Sequence, residues 1–184
     1  GYRGLGLVLE EAGRSLTASP LVSTSLLCTS ALLIGGSEEQ KKTLLPEIAA
    51  GSLVMAMAMD EGAHHAPAKI ATTAAKDGDG FIINGTKSFV LDGHIAGKLI
   101  VAARTHSEPG DTTGITLFIV DADAAAISRS RHTMVDSRNA AEITFKDVKV
   151  SHDHVLGNVD GGLAILDEAL GRARIGRHAA VIGS

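Results

Sequence analysis

The residues able to do chemistry are few and scattered. His152-Asp153-His154 has the spacing that sets two imidazoles on one side of an extended segment, as metal ligands require, but no third ligand cluster accompanies it. His64 and His65 are neighbours, and adjacent imidazoles rarely share one ligand geometry, so an exposed loop is expected there and no metal site is expected. Cys28 sits in an apolar helical run and reads as a core thiol. Arg172, Arg174 and Arg177 lie on a helical pattern, where they form a solvated face, partner the helix dipole, or reach a ligand or another subunit. Met55, Met57 and Met59 alternate along a strand pattern and share one face, which is either core or ligand-facing.

Elements of two kinds must position these residues. Residues 1–51 read as helical. Leu7, Val8, Ala12 and Leu16 recur near helical spacing with Glu10, Glu11 and Arg14 opposite, which predicts a helix with the first set inward. A second helix is predicted from Pro20 through Leu33, apolar nearly all round and ended by Gly35-Gly36. Ser37-Glu38-Glu39-Gln40 is a capping box that opens a third helix, which stops at Gly51.

Residues 52–156 change character. Short strand candidates fall at 53–59, 69–76, 81–84, 87–91, 99–105, 115–120, 142–145 and 148–150. Asp79-Gly80 and Asn84-Gly85 suit type I′ turns, whose central residues need positive φ, so a tight hairpin is predicted there. Many short, evenly spaced strands predict a closed or nearly closed antiparallel barrel. From Gly161 the helical pattern returns, with Leu163, Leu166, Leu170 and Ile175 near one stripe. The expected architecture is α+β: a helical segment 1–51, a β-barrel 52–156 and a helical segment 157–184. It is not the βαβ alternation of nucleotide-binding α/β folds, and neither G-x-G-x-x-G nor a Walker loop occurs.

Composition bounds the function class. The 184 residues are 45% hydrophobic, enough for a real core, and carry a net charge of −4 with no basic stripe, which argues against nucleic acid as a partner. The longest apolar runs are interrupted by Ser, Thr or Gly and fall short of a membrane span. One cysteine excludes an intrachain disulfide and fits a reducing compartment, so a cytoplasmic protein is expected. The sequence opens at Gly1 in the lead-in to a helix, as a piece of a longer chain would.

The hairpin segment DGDGFIINGTKSFVLDG resembles the middle-domain hairpin of the acyl-CoA dehydrogenase flavoproteins, G-x-x-x-x-I-N-G-x-K-x-W-I-T-N-G. Gly4-Leu5-Gly6 is similar to the family's G-G-L-G, and Gly36-Ser37-Glu38-Glu39-Gln40-Lys41 with Leu45-Pro46 and Gly51 to its G-(S/T)-E-x-Q-K-x-x-x-L-P-x-x-x-x-G. Ala56-Met57-Ala58-Met59-Asp60-Glu61 stands where the family has A-x-T-E-P, and Phe145-Lys146-Asp147-Val148-Lys149-Val150 with Val155-Leu156-Gly157 where it has F-x-D-V-x-V-P and V-L-G. Each motif alone is weak, but their order and spacing together are strong.

The resemblance implies an FAD-dependent α,β-dehydrogenation of an acyl-CoA thioester, in fatty-acid or lipid catabolism. In the family a carboxylate takes the proton α to the thioester carbonyl, and hydride passes from the β carbon to the flavin. The positions it assigns to the flavin are Met57, Met59 and Asp60 along a strand backbone, Phe89 as a flat face, and Leu91 where the family has a threonine facing N5. Ala66 and Pro67 stand where the family has a Ser-Asp pair. Three hydroxyl positions thus read Asp60, Ala66 and Leu91, and FAD binding is expected to be weakened or lost. Arg174 is retained as a substrate-side arginine, while Ala173 occupies the position at which some members carry the catalytic glutamate, so no catalytic residue is assigned. Arg138 is the one cation in the family's R-x-S-x-T segment. The implied partners are an acyl-CoA, further copies or a paralogue in a homo- or hetero-oligomer, and an electron-transfer flavoprotein if the chain is active. The alternative is a degenerate, non-catalytic partner subunit of a hetero-oligomeric acyl-CoA dehydrogenase.

Overall fold

A computed structural model describes residues 2–134 and 139–183; the side chains at 2, 175–177, 179–180 and 182–183 lie outside the description. Arg138 lies outside the described residues, as does the side chain of Arg177.

The first helix, α1 (Tyr2–Arg14), turns a different face inward from the one its sequence predicts. Leu9 is buried and Leu5 packs against the core, whereas Leu7 and Val8 are 62% and 51% exposed and Leu16 lies beyond the helix. Leu5 and Leu9 are one turn apart, so they define the stripe, and Leu7 and Val8 fall off it. The next segment begins as a π-helical stretch, Leu21–Cys28, and continues as α2 (Thr29–Gly35). Ser23, Thr24 and Cys28 are buried there, and burial pushes the Cys28 thiol well above its ordinary range. α3 (Glu38–Ala50) opens on the predicted capping box: Gln40 N–H donates to Ser37 Oγ, and Ser37 N–H to Gln40 Oε1, both at 3.1 Å. Gly51, at φ 75, ends it in the left-handed conformation.

Among the described residues eight strands follow: β1 (Met55–Ala58), β2 (Thr73–Asp77), β3 (Gly80–Leu91), β4 (Lys98–Arg104), β5 (Ile115–Asp121), β6 (Ile127–Thr133), β7 (Asn139–Ser151) and β8 (Val155–Leu156). They form one sheet in the order β6-β7-β3-β2-β4-β5-β8, with β1 also on β4. The sheet is mainly antiparallel, but β1 and β2 each pair with β4 in parallel. Among the described residues no α-helix joins one strand to the next; the loop 59–72 carries the chain from β1 to β2, and β4 is reached from β3 through residues 92–97.

The hairpin differs from its sequence reading in two ways. The turn residues are Gly78-Asp79, closed by Asp77 opposite Gly80. Gly78 has φ 57 while Asp79 is not at positive φ, as a type II′ turn requires and a type I′ turn forbids. Asn84-Gly85 is no turn but a register shift inside β3, between Ile83/Val148 and Gly85/Phe145. Gly85 has φ 151, and a Cβ there would sit 2.7 Å from Thr72 Cα, so the close approach selects glycine. The candidates at 142–145 and 148–150 are likewise one strand, β7, and β6 was not anticipated, because its Ser, Arg, His and Thr residues face solvent.

The sheet curls over its own interior. On the path β3-β2-β4-β5 the outer two strands are three spacings apart, about 14 Å in a flat sheet. Yet the rings of Phe81 on β3 and Phe118 on β5 meet edge-on with centroids 5.1 Å apart. Ile83, Val90, Leu99, Val101, Ile143 and Phe145 fill the same interior. The opposite face of β1, β4 and β5 packs against the helices through Met55, Met57, Ile100, Leu117 and Ile119. Strands β1 and β4 are therefore buried on both sides, which is why they read as continuous apolar runs.

The last helix, α4 (Gly162–Gly183), lies against α1, α2, the π-helical stretch and β5. Leu166 and Leu170 face the core, as predicted. Ile165 is keyed between two glycines: a Cβ on either Gly35 or Gly157 would come within 2.4 Å of its Cδ1.

Candidate functional site

The site begins where β1 leaves β4. Backbone groups alternate along a strand, and on β1 the even positions turn to β4: the Val54 carbonyl accepts from Gly97 N–H at 2.9 Å. Met55 turns the other way, its N–H donating to Thr24 Oγ1 at 3.1 Å and its carbonyl accepting from that hydroxyl at 2.8 Å. The π-helical stretch places Thr24 there. The same phase turns the N–H and C=O of Met57 and Met59 away from β4. The Met59 carbonyl accepts from Lys87 Nζ at 3.1 Å. Among the described residues, no acceptor meets the Asp60 N–H.

The side chains sort differently from the backbone. Met57 is buried in the helix–sheet core, so its thioether packs and only its backbone is offered to the open edge. Met59 is half-buried against the same core. The Asp60 carboxylate is turned into its own loop, where Oδ1 accepts from Ala66 N–H and Oδ2 meets His65 Nδ1, each at 3.0 Å. His64 and His65 are exposed, as expected for the loop, but His65 is tied to Asp60.

β3 brings the aromatic. A second register shift, between Lys87/Ile143 and Val90/Ala141, bulges Ser88-Phe89 out of the ladder. Phe89 has φ 53 and is 56% exposed, a strained backbone presenting a large apolar face. Such strain at a non-glycine residue gathers at functional sites. Leu91 resumes the ladder opposite Ala140, half-buried and without a hydroxyl. Asp92 follows at φ 57, and its Oδ2 accepts from the buried Ser23 Oγ at 2.6 Å.

Two residues that sequence reasoning passed over hold this arrangement together. Lys87 is fully buried; its Nζ donates to Glu61 Oε1 at 2.6 Å as well as to Met59. Glu61 also accepts from the N–H groups of Ala71 and Thr72, at 2.7 and 2.9 Å. Burial alone would raise the Glu61 carboxyl, but the Lys87 charge and the bonds from Lys87 and the Thr72 backbone outweigh it and hold it below its ordinary value. Burial pushes the Lys87 ammonium down to about 8, against the pull of Glu61. Beside them Arg104, also buried, donates to the carbonyls of Ala68, Ile70, Asp111 and Thr113. The sequence carried no local signal for the pair: a lysine in a strand pattern reads as solvent-facing, and its partners come from other segments of the chain.

The structure thus brings Met57, Met59, Asp60 and Phe89 together, with Leu91 on the same strand. Arg174 is exposed on α4, and no described hydrogen bond or ion pair joins it to the others. Ala173, in the position of the sought carboxylate, is buried in the helix–sheet core. Among the described residues, His152 and His154 form an exposed 3-10 turn, and His154 meets Ser151 Oγ. An exposed aromatic plane beside open backbone donors suits a flat, electron-accepting ring system. Leu91 offers it no hydroxyl, and the Asp60 carboxylate is engaged within its loop.

The family model "Acyl-CoA dehydrogenase, middle domain" matches residues 47–148, and "Acyl-CoA dehydrogenase, N-terminal domain" matches residues 1–52. A 3-(aryl)acrylate reductase of Clostridium sporogenes is 33% identical over 184 residues, covering 96% of this chain and 48% of that protein. The structure of butyryl-CoA dehydrogenase from Megasphaera elsdenii superposes with a TM-score of 0.86 at 28% identity, over 95% of this chain and 47% of that one. The ChsE4-ChsE5 complex from Mycobacterium tuberculosis gives 0.79 at 26% identity, over 89% of this chain and 42% of that one. The chain spans about half the length of the curated relatives it matches.

Proposed function

The chain belongs to the acyl-CoA dehydrogenase family, and from that premise we propose that it seats FAD for the α,β-dehydrogenation of an acyl-CoA thioester. The observation that carries this reading is Phe89: exposed, held at φ 53, and tied to the loop after β1 by the bond from Ser88 N–H to the Asp60 carbonyl. Bound there, the flavin supplies the electron-accepting chemistry. The chain's own part is to hold it. Phe89 offers a stacking face. Met57, Met59 and Asp60 are the backbone positions assigned to the flavin, and the Asp60 N–H, which meets no acceptor among the described residues, is a preorganised donor that needs no rearrangement when charge develops. Arg174 is assigned to the substrate side. The carboxylate base, an electron-transfer flavoprotein partner, an oligomeric assembly and a cytoplasmic location belong to the same proposal.

A second reading has its own support. Leu91 removes a hydroxyl from the site, Ala173 has no proton chemistry, and one solved relative is a complex named for two polypeptides. In that reading the chain is a non-catalytic subunit that completes an assembly with an active paralogue.

The deciding experiment is the visible spectrum of the purified full-length protein, alone and with a co-expressed paralogue. Stoichiometric flavin that is bleached by an acyl-CoA supports the enzyme. Flavin that appears only with the paralogue supports the partner subunit. Absence of flavin in both preparations overturns the FAD reading.

A further inference from the structure

A fully buried lysine is an expensive device for joining strands. Lys87 and Glu61 tie β3 to the end of β1 and to the loop before β2, yet a packed apolar pair of similar volume ties such elements as firmly. What an apolar pair cannot do is act on a peptide dipole. Lys87 Nζ lies 3.1 Å from the Met59 carbonyl oxygen. That carbonyl shares its peptide group with the Asp60 N–H, and this peptide is trans, so the N–H points away from Lys87. It points to a place where no described residue accepts from it. An ammonium on one end of a peptide strengthens the donor at the other, as polarised hydrogen-bond chains do in a low-dielectric interior.

We propose that Lys87 is a positioning residue of the flavin seat: fixed by Glu61 and set on the Met59 carbonyl, it polarises the Met59–Asp60 peptide and presents the Asp60 N–H as a strengthened donor to the ring edge that gains negative charge on reduction. The inference rests on the reading that the chain seats a flavin. Glu61 has a defined share in it. Anchored by the N–H groups of Ala71 and Thr72, it fixes the ammonium where a freely rotating lysine would wander. Asp60 contributes its backbone only, since its carboxylate is committed to Ala66 and His65.

The test compares affinities for oxidised FAD and for dithionite-reduced FAD, measured anaerobically on the full-length protein, its Lys87→Met variant and the double variant Lys87→Met/Glu61→Gln. The double variant removes the buried carboxylate that the single substitution leaves unpaired, and circular dichroism checks that each variant is folded. The expected result is that the wild type prefers the reduced form and that both variants lose about tenfold of that preference, as loss of a charge-assisted contact implies. Equal weakening of both forms, or an unchanged ratio, overturns the proposal and leaves Lys87 a strut. A wild type that takes up neither form overturns the flavin reading and this inference with it.

Discussion

Ser88 donates its backbone N–H to the carbonyl of Asp60 at 2.8 Å, and this bond joins the bulge that carries Phe89 to the loop that follows β1. This main-chain bond ties the aromatic face to the loop independently of the side chains of Ser88 and Asp60, beside the side-chain tie from Lys87 to the Met59 carbonyl.

Phe89 is held at φ 53, a conformation that suits glycine and costs another residue about 1 kcal/mol or more. Phe89→Gly is expected to leave stability unchanged or raise it by up to about 1 kcal/mol while FAD binding weakens, since the stacking face is lost. Urea denaturation and FAD fluorescence quenching on the same preparations check this. A variant that loses stability and keeps its affinity would show that the phenyl ring serves packing.

The three altered hydroxyl positions are not equivalent. Leu91→Thr is expected to strengthen FAD binding by about 0.5–1.5 kcal/mol, one hydrogen bond's worth. Asp60→Thr is expected to add little, because it also strips Ala66 N–H of its acceptor and His65 of its partner. Titrating FAD into both single variants and the double variant separates these effects; a larger gain from Asp60→Thr than from Leu91→Thr contradicts the assignment.

Gly85→Ala is expected to destabilise the chain by about 2–3 kcal/mol, as overpacking against backbone does. The new Cβ would meet the Cα of Thr72 at 2.7 Å, and backbone cannot swing aside as a side chain can. Thr72 also donates to Glu61, so the displacement should reach the Lys87 pair and lower FAD affinity along with the melting temperature. An alanine variant with a wild-type melting temperature contradicts this packing.

Lys87 and Glu61 also set a pH dependence. Burial lowers the Lys87 ammonium from 10.5 to about 8, with Glu61 and Asp60 pulling it back up and Arg104 adding to the fall. Between those values the unfolded chain binds the proton and the folded chain does not, so stability rises with pH across that window and is lost as pH falls through about 8. Glu61 acts at the acid end: its lowered pKa contributes stability that disappears as pH drops through the folded value. Relative to Lys87→Met/Glu61→Gln, the wild type should gain on the order of 3 kcal/mol at most from the lower to the upper end of the alkaline window. Denaturant titrations at several pH values check the slope; a difference independent of pH refutes it.

Much of this was legible from the residues. The capping box at Ser37 was readable because its bonds are local, and the α+β order because periodicity changes from helical to alternating at residue 52 and back after residue 156. The family resemblance was legible in motif spacing, and the matched N-terminal and middle domains bear it out. Other features depend on distant partners. Asn84-Gly85 has the composition of a turn, but pairing with the long β7 strand carries β3 straight through it as a bulge. The inward face of α1 is set by α4, not by its own count of apolar residues. Lys87 reads as a surface residue until the fold supplies Glu61 and Met59, and those partners come from other segments of the chain.

The setting of Ile165 between Gly35 and Gly157 makes three positions a single unit of sequence change. Alanine at either glycine collides with the Cδ1 of Ile165, so each substitution alone should be costly, whereas either one combined with Ile165→Val, which removes that methyl, should recover part of the loss. The glycines belong to separate segments, one closing α2 and the other preceding α4, so a coupling energy between them would be transmitted through one side chain. A double-mutant cycle measures it, and additive losses would show that Ile165 can turn aside. The bulk allowed at one end of α2 is thus decided by a residue 130 positions further along the chain.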